Sequence, residues 1–172
     1  MQKFSLALLA LAGSLTYSNA LTVVEGKAIG NKLLTSMTNT LASGSMQKMA
    51  DDMFADEIEW IWSGPQVGKG SKEDLVKEFA GSWGAMVSAF NPTHHPYIVV
   101  DTGAKKVSVA FDVTITIDGH SLAPCYNTLS SIFTLTVNDE GKVTVWEGMW
   151  DSGDVQTAHC MGLVMASKKA DL

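Results

Sequence analysis

The side chains best suited to chemistry are a few histidines and the carboxylates that follow them. His95 with Asp101 or Asp151 could supply an imidazole–carboxylate pair, the arrangement used in general acid–base catalysis. His94 and His95 are adjacent, so in a strand their side chains would point to opposite faces and could not bind one metal together. The remaining histidines lack the spacing of metal ligands, and we therefore expect no metal site.

Two glycine-containing segments resemble catalytic loops but have the wrong spacing. In residues 64–71, three residues rather than four separate the first two glycines, and Gly70 occupies the place where a phosphate loop needs Ser or Thr. Residues 80–84 are one residue short of a nucleophile elbow and lie within a helical pattern. We interpret residues 64–71 as a connection from a strand to a helix, and we expect no nucleotide or other cofactor.

The tryptophans show a more suggestive pattern. Trp60 and Trp62 alternate along one predicted strand, and Trp146 and Trp150 lie on one face of another. Large aromatic side chains in such positions either fill a core or line an apolar cavity. The sequence leaves both alternatives open.

Composition limits the classes of function. The chain has 172 residues, 46% of them hydrophobic, and a formal charge of −6. This length and hydrophobic content are typical of one globular domain. All 12 basic residues are lysines, so the guanidinium group that grips phosphates is missing. Nucleic-acid binding is therefore excluded as an expected function.

The N-terminus has the features of an export signal. Lys3 is followed by the uncharged apolar stretch Phe4 to Leu15, and Ser18-Asn19-Ala20 places small residues where a signal peptidase cleaves. The apolar stretch is too short to span a bilayer, so no stable membrane insertion is expected after cleavage. We predict a signal peptide over 1–20, one domain over 21–172, and a secreted or secretory-pathway location.

Export bears on the only two cysteines, Cys125 and Cys160. An oxidising compartment would permit a disulfide between them, whereas two buried free thiols would give the same sequence pattern. Both alternatives stay open.

Helices are predicted first along the mature chain. Leu33, Leu34, Met37 and Leu41 recur at helical spacing until Gly44, and a second short helix is expected from Ser45 through residue 54. A strand with a period of two follows at residues 58–62. Ser71 and Asp74 then resemble a capping box that opens a helix, with an apolar stripe running from residue 75 to residue 87.

From residue 95 onward the pattern indicates an antiparallel sheet. Strands are predicted over 97–101 and 107–117. A further strand is expected to end at about residue 137, and the last one covers 142–151. Asp118-Gly119 is a strong hairpin signal, and residues 138–141 form another turn. Helices followed by a meander indicate an α+β fold with the helices packed on one face of a curved sheet.

Several segments in this order resemble the nuclear-transport-factor-2-like (NTF2-like) superfamily, and its SnoaL-like branch in particular. They are Met53-Phe54-Ala55-Asp56-Glu57-Ile58-Glu59-Trp60, the strand and turn over 132–143, and Glu147-Gly148-Met149-Trp150-Asp151. The resemblance covers residues 32–151 and leaves 152–172 as a C-terminal tail. It implies a cone, in which a bent antiparallel sheet wraps around the N-terminal helices and opens at one end on an apolar pocket.

The resemblance does not bring catalytic groups with it. The three catalytic positions of ketosteroid isomerase correspond to Met37, Trp62 and Phe133, which are apolar, and the Asp-Arg-Asp set of limonene epoxide hydrolase cannot exist without arginine. The same register predicts an apolar pocket with Ser131, Asn127, Tyr126 and His95 as nearby polar groups. The expected pocket residues are Trp60, Trp62, Phe111, Val113, Phe133, Trp146 and Trp150.

Three functional hypotheses follow. The favoured one is a secreted protein that binds a small hydrophobic molecule in this pocket. The alternative is an isomerase, dehydratase or polyketide-cyclase type of enzyme that uses a histidine–carboxylate pair at the pocket mouth, from His95 with Asp101 or Asp151. The third is a non-catalytic module that forms a homodimer through the outer sheet face, at Ser108, Asp112, Thr114 and Thr116.

Overall fold

The computed structural model describes residues 20–43, 46–62, 67–81, 87–92, 96–117 and 125–150. The first 19 residues of the predicted signal peptide, His95, Asp151 and Cys160 lie outside the described residues. The backbone of Cys125 and Trp150 is described, but their side chains are not. Neither alternative for Cys125 and Cys160, a disulfide or two free thiols, is therefore tested.

Three helices and seven strands make up the described residues. The helices are α1 (Val23–Ser43), α2 (Met46–Met53) and α3 (Lys72–Gly81). The strands are β1 (Phe54–Trp62), β2 (Val67–Ser71), β3 (Val87–Pro92), β4 (Tyr97–Asp101), β5 (Lys106–Ile117), β6 (Cys125–Val137) and β7 (Val143–Trp150). Helices followed by strands confirm the α+β class. Among these helices, none is long and apolar enough to cross a membrane.

One sheet contains all seven strands. Its order is β2-β1-β7-β6-β5-β3, and β4 pairs with another part of β5. The pairings are antiparallel except for that of β1 with β7, which is parallel and aligns Trp60 with Trp146 and Trp62 with Gly148. This parallel pairing brings the first strand against the last and makes the two tryptophan-bearing strands neighbours within the sheet.

The inner face of the sheet carries the core. Phe111, Val113 and Ile115 of β5 are buried, as the strict alternation of that strand predicts. Helix α1 packs against β3, β4 and β5, whereas α3 packs against β1 and β2. The two helices thus cover opposite halves of the same sheet face.

Helices α1 and α3 both begin with reciprocal caps. Ser71 and Asp74 form the predicted capping box: the Ser71 N–H and Oγ–H donate to Asp74 Oδ2, and the Asp74 N–H donates to Ser71 Oγ. Thr22 and Glu25 make the same exchange at α1. The hydrogen bonds from Ser71 lower the pKa of the Asp74 carboxyl, and those from Thr22 lower the pKa of Glu25.

Two sequence predictions were wrong in this region. Residues 64–71 are not only a connection, because Val67–Ser71 form strand β2 on the edge of β1. Helix α3 ends at Gly81, so the predicted stripe does not continue to Val87, which begins β3. Both errors have a physical reason: Gly68 and Gly70 hide the alternation of β2, and the short strand β3 continues an apolar pattern that looks helical.

Strand β2 generates a prediction about packing. A Cβ atom at Gly68 would overlap the Trp60 indole, which cannot move freely because its Nε1–H donates to Glu78 Oε2 at 2.9 Å. We expect Gly68→Ala to lower the free energy of unfolding by about 1–3 kcal/mol, as overpacking does. Urea denaturation followed by circular dichroism measures this change.

Gly103→Ala is the matched control for that experiment. Gly103 lies in the turn after β4, where an added Cβ would meet only Asp101 Oδ1 at an ordinary 3.5 Å. We expect a change within about 0.5 kcal/mol. Equal stabilities for the two variants would contradict the close packing of Trp60 on β2.

Candidate functional site

An internal cavity lies between the inner face of the sheet and helices α1 and α3. Its volume is about 30 Å³. Every strand except β2 and β4 contributes to its walls, together with one residue from each of the two helices. The lining residues are Met37, Trp62, Phe79, Phe90, Val113, Ile115, Leu129, Ser131, Phe133 and Trp146.

Aromatic packing around Trp146 forms one wall of the cavity. Its ring centroid lies 4.9 Å from that of Trp62, edge to face, and 5.7 Å from that of Phe133. Phe54 lies 5.3 Å away and Phe79 of α3 lies 6.4 Å away, nearly parallel. These separations fall in the range of favourable aromatic contacts. We call Phe54, Trp62, Phe79, Phe133 and Trp146 the aromatic cluster.

A glycine makes room for this cluster. Gly148 pairs with both Trp62 and Phe133, and a Cβ at this position would come within 3.0 Å of each ring. Because Gly148 has no side chain, the rings of Trp62 and Phe133 pack directly against its backbone. Their positions depend on a residue that has no side chain.

The cavity is almost wholly apolar. Ser131, on β6, is the one polar residue among the buried residues described. Trp146 has no exposed surface, and its Nε1–H has no hydrogen-bond partner among the described residues. A buried donor without a partner costs about 1–3 kcal/mol, so this atom needs an explanation.

The volume limits what fits without rearrangement. A cavity needs about 10–15 Å³ to hold one water molecule, and an engineered cavity of about 150 Å³ in another protein holds benzene. A volume of about 30 Å³ therefore admits very small molecules only. A larger ligand must displace part of the wall.

The predicted pocket residues divide into two groups. Trp62, Val113, Phe133 and Trp146 line the cavity. Trp60 is buried but packs on Gly68 and Glu78 instead, and Phe111 is buried between Phe90 and Phe133. The backbone of Trp150 pairs with Ser131, which places this residue beside the cavity in the strand register.

The predicted catalytic candidates are not brought together in the described residues. Asp101 is exposed at the end of β4, and its carboxylate accepts hydrogen bonds from the backbone N–H groups of Gly103 and Ala104 at 3.0 and 2.9 Å. Asp101 pairs with Lys106 of β5. Lys106 is seven residues from Val113, which lines the cavity, so at the usual rise of a strand the two positions are about 23 Å apart. The observed role of Asp101 is to shape a turn, and His95 and Asp151 lie outside the described residues.

No titratable side chain is among the lining residues described. In the same part of the chain, no group of three or more His, Cys, Asp or Glu side chains is placed to hold a metal ion. The arrangement described can contact an apolar molecule. It does not itself supply an acid or a base.

Five lining residues were outside the predicted pocket and its nearby polar groups, namely Met37, Phe79, Phe90, Ile115 and Leu129. Phe79 was assigned to the apolar stripe of a helix, Phe90 lay in a strand that was not predicted, and Leu129 was not singled out. Phe79 could have been found from its position four residues after Leu75, on the buried side of α3. Phe90 had no comparable signal, because its strand ends in proline after only six residues.

A scan of family models and a search of curated proteins find no match to this sequence. Solved structures do match. An NTF2-like protein of Anabaena variabilis is 15% identical with a TM-score of 0.58, over 77% of this chain and 94% of that one. A protein of Jannaschia named as a SnoaL-like polyketide cyclase is 15% identical with a TM-score of 0.60, over 76% and 91%.

An epoxide hydrolase of Mycobacterium tuberculosis, described as LEH-like, is 16% identical with a TM-score of 0.57, over 84% of this chain and 93% of that one. At such identities the likeness establishes the fold. It confirms the expected resemblance at that level: the chain has the NTF2-like fold, an open α+β cone.

The burial of Trp146 generates a prediction about stability. We expect Trp146→Ala to lower the free energy of unfolding by about 3–5 kcal/mol, because it removes the common partner of four aromatic rings. Chemical denaturation followed by circular dichroism measures the loss.

Met149→Ala provides the control on the same strand. Met149 points to the outer face and is 62% exposed, so its removal is expected to change stability by no more than about 0.5 kcal/mol. If Trp146→Ala were as stable as Met149→Ala, the interior would not be packed around the indole.

Proposed function

We propose that this chain, which has the NTF2-like fold, binds a small, mainly apolar molecule inside the cone. The observation that carries the proposal is the internal cavity itself, whose described lining residues are apolar except for Ser131, and include Trp146 with its unpartnered indole N–H. Ligand sites are typically concave and apolar with a few polar groups that orient the ligand. The lining has that composition.

Because the cavity is small, a ring-sized ligand can enter only if part of the cavity wall moves. Met37 and Phe79 are the lining residues contributed by helices, whereas the others are held by the sheet. Met37 has an unbranched and flexible thioether side chain, and Phe79 is only partly buried. We propose that these two side chains move when a ring-sized ligand binds, while the sheet wall stays in place.

Catalysis has less support than binding. The named relatives include an epoxide hydrolase and a polyketide cyclase, but those activities belong to those proteins. In this chain the described lining contains no acid or base, and Asp101 shapes a turn. A histidine–carboxylate enzyme would have to draw on His95 and Asp151.

Association through the outer sheet face is a second candidate function, favoured by an apolar row. Tyr97, Ala110, Ile132 and Met149 pair successively across β4, β5, β6 and β7. Ile132 and Met149 are adjacent and are 46% and 62% exposed, and Tyr97 at the end of the row is 73% exposed, which is unusual for large apolar side chains in one row. Light scattering at micromolar concentration distinguishes a dimer, which supports this candidate, from a monomer, which contradicts it.

Secretion is the remaining part of the proposal. Leu21 is buried in the core and Thr22 caps α1, so cleavage after Ala20 would leave every described contact of the helix intact. We propose that the mature protein begins at Leu21 and acts outside the cytosol. The intact mass of the exported protein tests this start site directly.

The binding proposal predicts the effect of enlarging the cavity. Met37→Ala removes the flexible side chain from the wall, so benzene no longer has to displace it. We expect benzene to change the tryptophan fluorescence of the parent saturably and to bind Met37→Ala about tenfold more tightly, which corresponds to about 1.4 kcal/mol. Fluorescence titration measures both affinities.

Met49→Ala is the matched control. Met49 is a buried helical methionine like Met37, but it belongs to α2 and is not among the cavity-lining residues described. We expect this variant to lose stability without gaining affinity for benzene. The binding proposal would be wrong if benzene gave no saturable response in the parent and none in Met37→Ala.

A further inference from the structure

The unpartnered donor of Trp146 is the feature that the proposed function does not explain. Trp146 is fully buried at the centre of β7, and its Nε1–H has no hydrogen-bond partner among the described residues. By contrast, the Nε1–H of buried Trp60 donates to Glu78 at 2.9 Å. The fold therefore does supply a partner to an indole N–H elsewhere in its interior.

The described neighbours of Trp146 do not offer it an ordinary acceptor. Phe54, Trp62, Phe79 and Phe133 surround its ring, and all of them are aromatic. Ser131 lines the same cavity, but its hydroxyl makes no hydrogen bond with the Trp146 Nε1–H. An acceptor for this donor must therefore come from something other than these side chains.

We infer that the ligand of the cavity carries a hydrogen-bond acceptor, such as a carbonyl or ether oxygen, that binds the Trp146 Nε1–H. This inference rests on the proposed function, because it specifies the ligand class of the same cavity. A buried polar group left unpaired in the absence of the correct ligand is a strong basis for selectivity. The ligand class is then a compact apolar molecule with one oxygen acceptor, rather than a pure hydrocarbon.

A weak contact between the N–H and an aromatic face is the rival explanation. Trp62 and Phe133 both stand nearly perpendicular to Trp146, with interplanar angles of 81° and 79°. Such geometry is compatible with an N–H···π interaction, which is weaker than an ordinary hydrogen bond. The two explanations predict different responses to an oxygen-bearing ligand.

Cyclohexanone and methylenecyclohexane form a matched pair of probes. They have the same ring and nearly the same shape, but only the ketone can accept a hydrogen bond. In ¹H–¹⁵N spectra of the labelled protein, the indole signal missing from Trp146→Phe identifies Trp146 among the five tryptophans. We expect cyclohexanone to move this signal downfield and methylenecyclohexane not to do so.

Affinities give a second readout. We expect Trp146→Phe to change the ratio of the two affinities about tenfold in favour of the hydrocarbon, the effect of losing one hydrogen bond. Trp60→Phe makes the same change at a buried tryptophan outside the described lining and keeps the Trp146 donor, so it should leave the ratio unchanged. If Trp146→Phe does not fold, the parent spectra still test the inference: an indole signal that moves downfield with cyclohexanone and not with methylenecyclohexane supports it, and the absence of any such signal contradicts it.

The outcomes separate the two proposals. If both probes bind the parent but neither moves the Trp146 signal, and the affinity ratio is the same in all variants, the acceptor inference is wrong and the binding function stands. If neither probe binds the parent or Met37→Ala, the proposed function fails and the inference fails with it.

Discussion

Aromatic packing around the Trp146 indole is the interaction on which the rest of the structure depends. Strand β7 places this ring between residues of β1 and β6, and α3 closes over it with Phe79. The parallel pairing of β1 with β7 is what aligns Trp62 beside Gly148, where the missing side chain leaves room for two rings. Removing any of these features would change both the core and the cavity, because they share the same residues.

This shared use explains why core and pocket are difficult to separate in this protein. Trp62, Phe79, Phe133 and Trp146 of the aromatic cluster are buried or partly buried core residues and also line the cavity of about 30 Å³. A small movement of the helices would enlarge that space, whereas the strands are fixed by their hydrogen-bonded neighbours. In the proposed function the helical side of this core moves on binding, and selectivity comes from the size of the cavity and from the Trp146 N–H, which has no partner among the described residues.

Local sequence patterns were sufficient for some elements and not for others. The complete alternation in β5 and the Ser71–Asp74 cap are local signals, and both were predicted correctly. Strand β2 was missed because glycine has no side chain to show a period, although Trp60 requires glycine at position 68. The parallel contact of β1 with β7 and the volume of the cavity depend on residues far apart in the chain, so no local pattern could have predicted them.

The most direct test of the account is nuclear magnetic resonance of the methionine methyl groups during a titration with benzene. Met37 lines the cavity and Met49 is buried outside its described lining, so the two methyl groups report on the cavity and on the surrounding core. The account predicts a saturable shift of the Met37 signal with no change at Met49. An unchanged Met37 signal, or equal shifts at both methyl groups, would contradict it.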